Sequence, residues 1–396
     1  MNSRMADIIE FKMEVRKCEC CGGNDFEPVW SNQSIVRKST ATYRFNVHVV
    51  VCRRCGFCFT SPSPTNEDLT HFYADGLSGY KEISLPYSIE NRISVLERYS
   101  VPYGNFVEIS GDHPEEFHRL CSDFFGTIQS VELSEEIPSN HRNINDIPPN
   151  SADVIAHYDV LEHVTNVRDF LTGCNRALKE GGIMVCEVPD VRLYPRNLLL
   201  LEFTHVNHFS LTTLATIAQN CGFRLIETSH ICSRSFGLLA VFRKDKSLND
   251  LNLNSPLEFI DTLSCVKGGI EQINRVQKHI KSLRERITEL NNKGKKLTLW
   301  GVTDLLRHLL DNFRLPNYAV VVDSDPRRKT HLQNYSVKVF EPKKKIAHIQ
   351  NSALIAIFAP RYKTEIVEWI VQKTGKRFSS SELQVVGSGP SGESLC

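Results

Sequence analysis

The chain has 396 residues, 41% of them hydrophobic and 23% charged, which is too long for one ordinary core and predicts two or three domains. Its 47 Lys+Arg against 46 Asp+Glu leave a net charge of +1, which excludes a general electrostatic pull toward nucleic acid or an anionic membrane. The charged opening MNSRMADIIEFKMEVRK lacks a signal-peptide core, and the best leucine run, Leu198 to Leu201, falls far short of the ~20 apolar residues of a membrane span. A cytoplasmic protein without a membrane span is expected.

Six of the thirteen cysteines crowd the first 60 residues. Cys18-Glu-Cys20-Cys21-Gly and Cys52-Arg-Arg-Cys55-Gly form two C-x-x-C knuckles thirty residues apart. Each sets two thiolates on a tight turn, and the glycine after it lets the backbone bend past a metal. Tyr43 to Val51 alternates as a strand leading into the second knuckle. A zinc ribbon is expected, with a structural Zn²⁺ on Cys18, Cys21, Cys52 and Cys55, in an N-terminal module over 1–85. Cys20 and Cys58 read as ordinary thiols. Tyr73 and Tyr80, late in the module, either line a substrate pocket or pack it on its neighbour.

From Tyr99 the pattern becomes short apolar strands alternating with helices, the mark of a doubly wound, largely parallel α/β sheet over 86–245. Strands are predicted at Asn105–Ile109, Ile128–Leu133, Ala152–Ala156, Ile183–Val188, Arg224–Ser229 and Gly237–Phe242. Residues 246–293 hold a polar linker and a long amphipathic helix with Ile270, Ile273, Gln277, Ile280, Leu283, Ile287 and Leu290 on one face. Residues 294–378 offer three more strand patterns of a smaller Rossmann-like unit: one runs into the turn Gly301–Asp304, another ends at Asp323. The serine- and glycine-rich tail, 379–396, reads as disordered.

The stretch from Ala152-Asp153 through Leu161-Glu162-His163, then Gly181-Gly182 into Glu187-Val188-Pro189, resembles the signature of class I S-adenosylmethionine-dependent methyltransferases. His205-Val-Asn-His208-Phe209-Ser210, ending in Cys221-Gly222-Phe223, is similar to a later segment of the same family. The resemblance implies S-adenosylmethionine as cofactor. It places Glu108 at the acidic position of the first strand and Ser110-Gly111-Asp112 in the cofactor turn. It sets Glu132 at the ribose, Asp146 at the adenine amine and His157 among the cofactor-binding residues. The turn departs from the family pattern in having a single glycine.

The whole order, a four-cysteine module, a methyltransferase sheet, a linking helix and a second Rossmann-like unit with Trp300-Gly301 and Val322-Asp323-Ser-Asp325-Pro326, resembles the sugar C-methyltransferases of deoxysugar biosynthesis. That resemblance implies a nucleotide-linked keto-sugar as small-molecule substrate, reached by Tyr73, Tyr80, Asp304 and Asp323. It implies that His205 removes the proton beside the sugar carbonyl, with Glu202 as neighbouring carboxylate and His208 toward the substrate. His163 is assigned to bracing its turn. Two alternatives stay open: an O- or N-methyltransferase acting on a polysaccharide or lipid precursor, and a methyltransferase-like binding protein without activity. Oligomeric state is not legible.

Overall fold

Alternating apolar residues from Thr42 to Cys52 demand a strand with one covered face, and the fold covers the face of Tyr43, Phe45, Val47, Val49 and Val51. The computed structural model describes residues 8–37, 41–74, 88–110, 114–135, 137–196, 205–229, 231–245, 256–311, 313–330, 332 and 335–387. Tyr80, Gly111, Asp112 and Glu202 lie outside the described residues. The N-terminal module contains β1 (Ile8–Glu10), β2 (Met13–Glu14), β3 (Phe26–Arg37), β4 (Thr42–Cys52), β5 (Cys58–Thr60), β6 (Ser63–Pro64) and α1 (Asn66–Ala74). β4 is its spine, paired with β1, β3 and β5. Each cysteine knuckle closes on its glycine: Gly22 N–H donates to the Cys18 carbonyl and Gly56 N–H to the Cys52 carbonyl, with φ of 72° and 75°.

The central unit runs through α2 (Ile89–Tyr99), β7 (Asn105–Ile109), α3 (Pro114–Cys121), β8 (Thr127–Val131), β9 (Ala152–Tyr158), α4 (Val167–Ala177) and β10 (Leu178–Pro189). It continues with β11 (Asn207–His208), α5 (Leu211–Asn220), β12 (Phe223–Ser229) and β13 (Gly237–Lys244). The sheet order is β12-β13-β10-β9-β7-β8, parallel from β10 to β8, with β13 antiparallel to both its neighbours. Strand order reverses between β7 and β9, so the carboxyl ends of those two strands frame the crevice where such sheets take ligands. Gly181-Gly182, expected to precede a strand, instead lies inside β10, where the register against β9 shifts between Leu178 and Ile183.

β11 does not join that sheet. It pairs antiparallel with β5, setting Asn207 against Phe59 and His208 against Cys58, and so closes the edge of the N-terminal sheet. The N-terminal module and the central unit therefore share the segment that follows His205.

One helix, α6 (Pro256–Asn292), of about 55 Å at 1.5 Å per residue, ties the parts together. Val266 and Ile273 pack on the β4 face carrying Tyr43, Phe45 and Val47, and Ile280, Leu283 and Ile287 pack on the C-terminal sheet. Gln277, expected on the apolar face, is exposed, and Val276 takes the buried position. The C-terminal unit comprises β14 (Leu297–Trp300), α7 (Asp304–Leu310), β15 (Ala319–Val322), β16 (Val339–Phe340), α8 (Ile346–Gln350), β17 (Leu354–Ile357), α9 (Lys363–Thr374) and β18 (Leu383–Val385). Its sheet, β16-β15-β14-β17-β18, is wholly parallel. Here the expected disordered tail is corrected: Leu383–Val385 pairs with Ile355–Ile357, and Val386 is buried. A short apolar run outweighed the serines around it, because an open sheet edge offers unpaired backbone groups.

Gly56 gives a test of how the second knuckle is seated. A Cβ there would come within 2.7 Å of the Glu258 backbone in the first turn of α6, whereas at Gly22 it would meet nothing within 4 Å. Both have positive φ, so alanine strains each backbone, but only Gly56→Ala adds a clash. Thermal unfolding should show Gly22→Ala costing about 1 kcal/mol and Gly56→Ala clearly more, about 2–4 kcal/mol. Equal losses would place the seating elsewhere.

Candidate active site and metal centre

The four cysteines of the two knuckles converge. Cys18 Sγ lies 3.5 Å from Cys55 Sγ and Cys21 Sγ 3.6 Å from Cys52 Sγ, and all four sulfurs lie within 4.8 Å of one another. A tetrahedral zinc with bonds of about 2.3 Å needs sulfurs roughly 3.8 Å apart, so this donor set fits the ion and leaves no position open for catalysis. Cys18, Cys52 and Cys55 are buried, and Cys21 is partly buried. Cys20 is buried beside the set with its thiol close to Cys55, and its backbone carbonyl accepts from Arg168 Nη2 at 3.0 Å, tying the knuckle to α4. Cys58 sits fully buried in β5, where burial raises its thiol pKa.

Just before the first knuckle, Arg16 is carried inward. Its guanidinium donates to the Val206 carbonyl at 3.2 Å and to Asn207 Oδ1 at 2.8 Å, and burial lowers its pKa to about 10. Asn207, itself fully enclosed, donates through Nδ2 to the carbonyls of Leu161 at 2.8 Å and Val164 at 2.6 Å. Val206 N–H donates to the Glu162 carbonyl at 2.7 Å. These bonds clamp the turn Leu161–His163, which directly follows β9, against the 205–207 segment. The turn and His205 are thereby brought together.

The result is a cluster at the carboxyl end of β9. One ligand-type atom each of Glu162, His163 and His205 lies within 4.8 Å of the others. The two imidazoles stand 4.8 Å apart between centroids at 73°. His163 Nε2 lies 3.9 Å from Glu162 Oε1, and His163 Nδ1 bonds the Tyr73 hydroxyl at 2.8 Å. Both histidines are partly exposed, whereas Glu162 is 1% exposed and its carboxylate has no hydrogen-bond partner among the described residues. Of the expected site residues, His205 and Tyr73 meet here. Glu162 was not singled out from the sequence and His163 was read as a brace. The L-E-H triplet was the available signal, but only the fold shows that its acid turns inward.

Around the crevice, Ser110 ends β7 with φ of 58°, a left-handed conformation more natural to glycine. Its hydroxyl lies 3.4 Å from Glu132 Oε2, and Glu132 Oε1 accepts from Ser134 N–H at 3.1 Å. Ser110 and Glu132 thus stand together where the ends of β7 and β8 meet. Glu108 is buried beneath α3, where its carboxylate meets His118 Nε2 at 2.6 Å. Asp146 accepts the backbone N–H groups of Arg142 and Asn143, at 3.2 and 2.9 Å, and so closes its own turn.

Two expectations are corrected by burial. His157, expected at the cofactor, is fully enclosed with its ring edge-on to Phe170 of α4. Burial pushes its pKa down to about 3, so it is a neutral core residue. His208, expected toward the substrate, is enclosed as part of β11, with Nδ1 bonded to the Tyr194 hydroxyl at 2.6 Å. Burial, assisted by the charge of Arg16, likewise lowers its pKa to about 3. Both residues have the right type in the right order along the chain, but their strands turn them into packed layers.

In the C-terminal unit, Asp323 accepts from Val302 N–H at 2.7 Å and Asp325 N–H at 2.8 Å, bracing the turn after β14 with one oxygen each. Asp304 begins α7, and its side chain lies outside the described part. Asp323 lies outside the Glu162–His163–His205 cluster.

A family model for a methyltransferase domain matches residues 84–228. The match falls on the central unit. Among solved structures, an S-adenosylmethionine-dependent methyltransferase from Mesorhizobium loti is 15% identical, with a TM-score of 0.33, over 39% of this chain and 100% of its own. A 1,6-didemethyltoxoflavin-N1-methyltransferase from Burkholderia thailandensis, with 1,6-didemethyltoxoflavin and S-adenosylhomocysteine bound, is 11% identical, with a TM-score of 0.36, over 48% of this chain and 96% of its own. No curated protein matches the sequence. No helix among the described residues is long and apolar enough to cross a membrane.

The metal reading is checked by native mass spectrometry. One zinc per chain should be bound through the cysteines, and Cys52→Ser should lose it together with most of the stability of the N-terminal module. Full zinc occupancy in Cys52→Ser would reject the four-cysteine assignment.

Proposed function

We propose that this protein is an S-adenosylmethionine-dependent methyltransferase acting on the carbon beside a carbonyl, with a nucleotide-linked keto-sugar as substrate. The observation carrying this reading is the position of the Glu162–His163–His205 cluster at the carboxyl end of β9, beside the crevice where strand order reverses. The match of residues 84–228 to a methyltransferase domain supports the methyl donor. When bound, that donor supplies an electrophilic methyl group on a sulfonium centre. Ser110 and Glu132 are the groups to hold its ribose, since a carboxylate accepts two hydroxyls at once. The acceptor carbon becomes nucleophilic only after losing a proton, and the His205 cluster is where that proton leaves. Imidazole suits the task because its unperturbed pKa is about 6.5. The keto-sugar rests on the sequence resemblance of the whole domain order.

The pairing of Glu108 with His118 favours a second reading, a methyltransferase-like protein that binds sugar without transferring methyl. Calorimetry separates the two. Under the first, S-adenosylmethionine binds, and Glu132→Ala weakens it by about 10-fold or more, as expected for about 1.5–3 kcal/mol of charged hydrogen bonding. No heat at millimolar cofactor with folded, zinc-loaded protein selects the second.

The chemistry at carbon has its own readout. Solvent deuterium should enter a nucleotide-linked keto-sugar at the carbon beside the carbonyl, and His205→Ala should slow this at least 100-fold. Undiminished exchange in His205→Ala would remove that cluster from the reaction.

A further inference from the structure

Glu162 is the least explained charged side chain in the crevice. Its carboxylate is enclosed, no side chain among the described residues donates a hydrogen bond to it, His163 and His205 each bring a nitrogen within 4.8 Å, and the charges of Asp159, Arg234 and Glu187 lie around it. A buried carboxylate without donors is costly, and structures retain one where a cation completes it. We propose that Glu162, His163 and His205 form a second metal site, distinct from the four-cysteine centre, that binds a divalent first-row cation.

The donor set is two imidazoles and one carboxylate, which suits Zn²⁺, Mn²⁺, Fe²⁺ or Co²⁺ and disfavours the softer ions that choose thiolates. The three atoms lie within 4.8 Å of one another, and His163 Nε2 and Glu162 Oε1 are 3.9 Å apart. Metal bonds of about 2.1 Å need ligand edges of roughly 3–3.5 Å, so the set closes by about an ångström. The outer partner of a ligating histidine is present as well. Tyr73 holds His163 at Nδ1, which fixes the ring and leaves Nε2 toward Glu162. The backbone beneath is rigid, since Asn207 and Val206 bind both halves of the cluster.

Three protein ligands leave positions open, and the partial exposure of both histidines puts those positions on the crevice side. A cation there would take a carbonyl or hydroxyl oxygen of the substrate and withdraw charge from it. This deepens the proposed reaction and rests on it for the substrate: His205 would serve as a ligand in place of acting as the base, the cation would acidify the carbon beside the carbonyl, and a hydroxide at another open position would take the proton and become water.

Cobalt distinguishes the two centres within the intact chain. The full-length protein loaded with Co²⁺ should hold two ions. One gives the intense near-ultraviolet thiolate band, and the other adds only weak visible bands of nitrogen and oxygen ligation. Glu162→Gln and His205→Ala should each reduce the count to one and leave the thiolate band intact, which also certifies folding. Tyr73→Phe should keep the second ion but weaken it by about 10–100-fold. A single cobalt with thiolate features alone in the wild type overturns the proposal, as does a second cobalt indifferent to both ligand substitutions. Deuterium exchange into the keto-sugar separates this from the proposed reaction. A second cobalt without exchange supports the site while the reaction fails, and exchange in protein holding only the thiolate-bound ion overturns the site while the reaction stands.

Discussion

Asn207 is the residue on which the candidate site depends. It is fully buried, and its amide is satisfied on every side: Arg16 donates to its oxygen, and its nitrogen donates to the carbonyls of Leu161 and Val164. A buried amide left unpaired costs about 1–3 kcal/mol, so the three bonds hold as a set or fail as a set. Arg16 comes from the lead into the first cysteine knuckle, the carbonyls come from the turn after β9, and Asn207 lies in the strand that closes the N-terminal sheet. A single side chain therefore fixes where the four-cysteine module, the central sheet and the His205 segment meet. The four-cysteine centre begins two residues after Arg16, and through that residue's bonds to Val206 and Asn207 it bears on the site.

The long helix applies a second constraint of a different kind. α6 touches the cysteine knuckle at its first turn, where Glu258 packs on Gly56 and accepts from the Ser210 hydroxyl. Its middle covers β4, and its last turns cover the C-terminal sheet. Gly268 and Gly269 let it approach Pro195 and Tyr194, which lie near His208. Asn207 positions by directed hydrogen bonds, whereas α6 positions by apolar area, which is strong but indifferent to small rotations. The precision of the site comes from the former.

Much of this was legible before any fold was known. The C-x-x-C knuckles declared their partners because thiolate spacing on a tight turn is a local property. The β7, β9 and β10 patterns and the α6 stripe were equally readable, because strand and helix periods are local too. A side chain's direction, by contrast, is not a local property. His157 and His208 were of the right type in the right order, but a strand alternates its faces, and one residue of register decides between crevice and core. Gln277 failed for a related reason: Val276, one position away, meets the neighbouring sheet. The tail after Ser379 was misread because its composition is that of a linker, while its three-residue strand exists only to complete an edge provided by β17.

The sequence by itself determined the four-cysteine set, the order of the strands along the chain and the long helix, since each is encoded within a few turns of chain. It also carried Glu162, His163 and His205, but as residues 43 positions apart at their widest, with nothing local to join them. Only the tertiary structure decided that β11 leaves the central sheet for β5, and that Asn207 therefore draws the His205 segment onto the L-E-H turn. The physical reason is that hydrogen-bond satisfaction in a buried interface is a property of the assembled layers. No window of sequence contains all the donors and acceptors that must be matched.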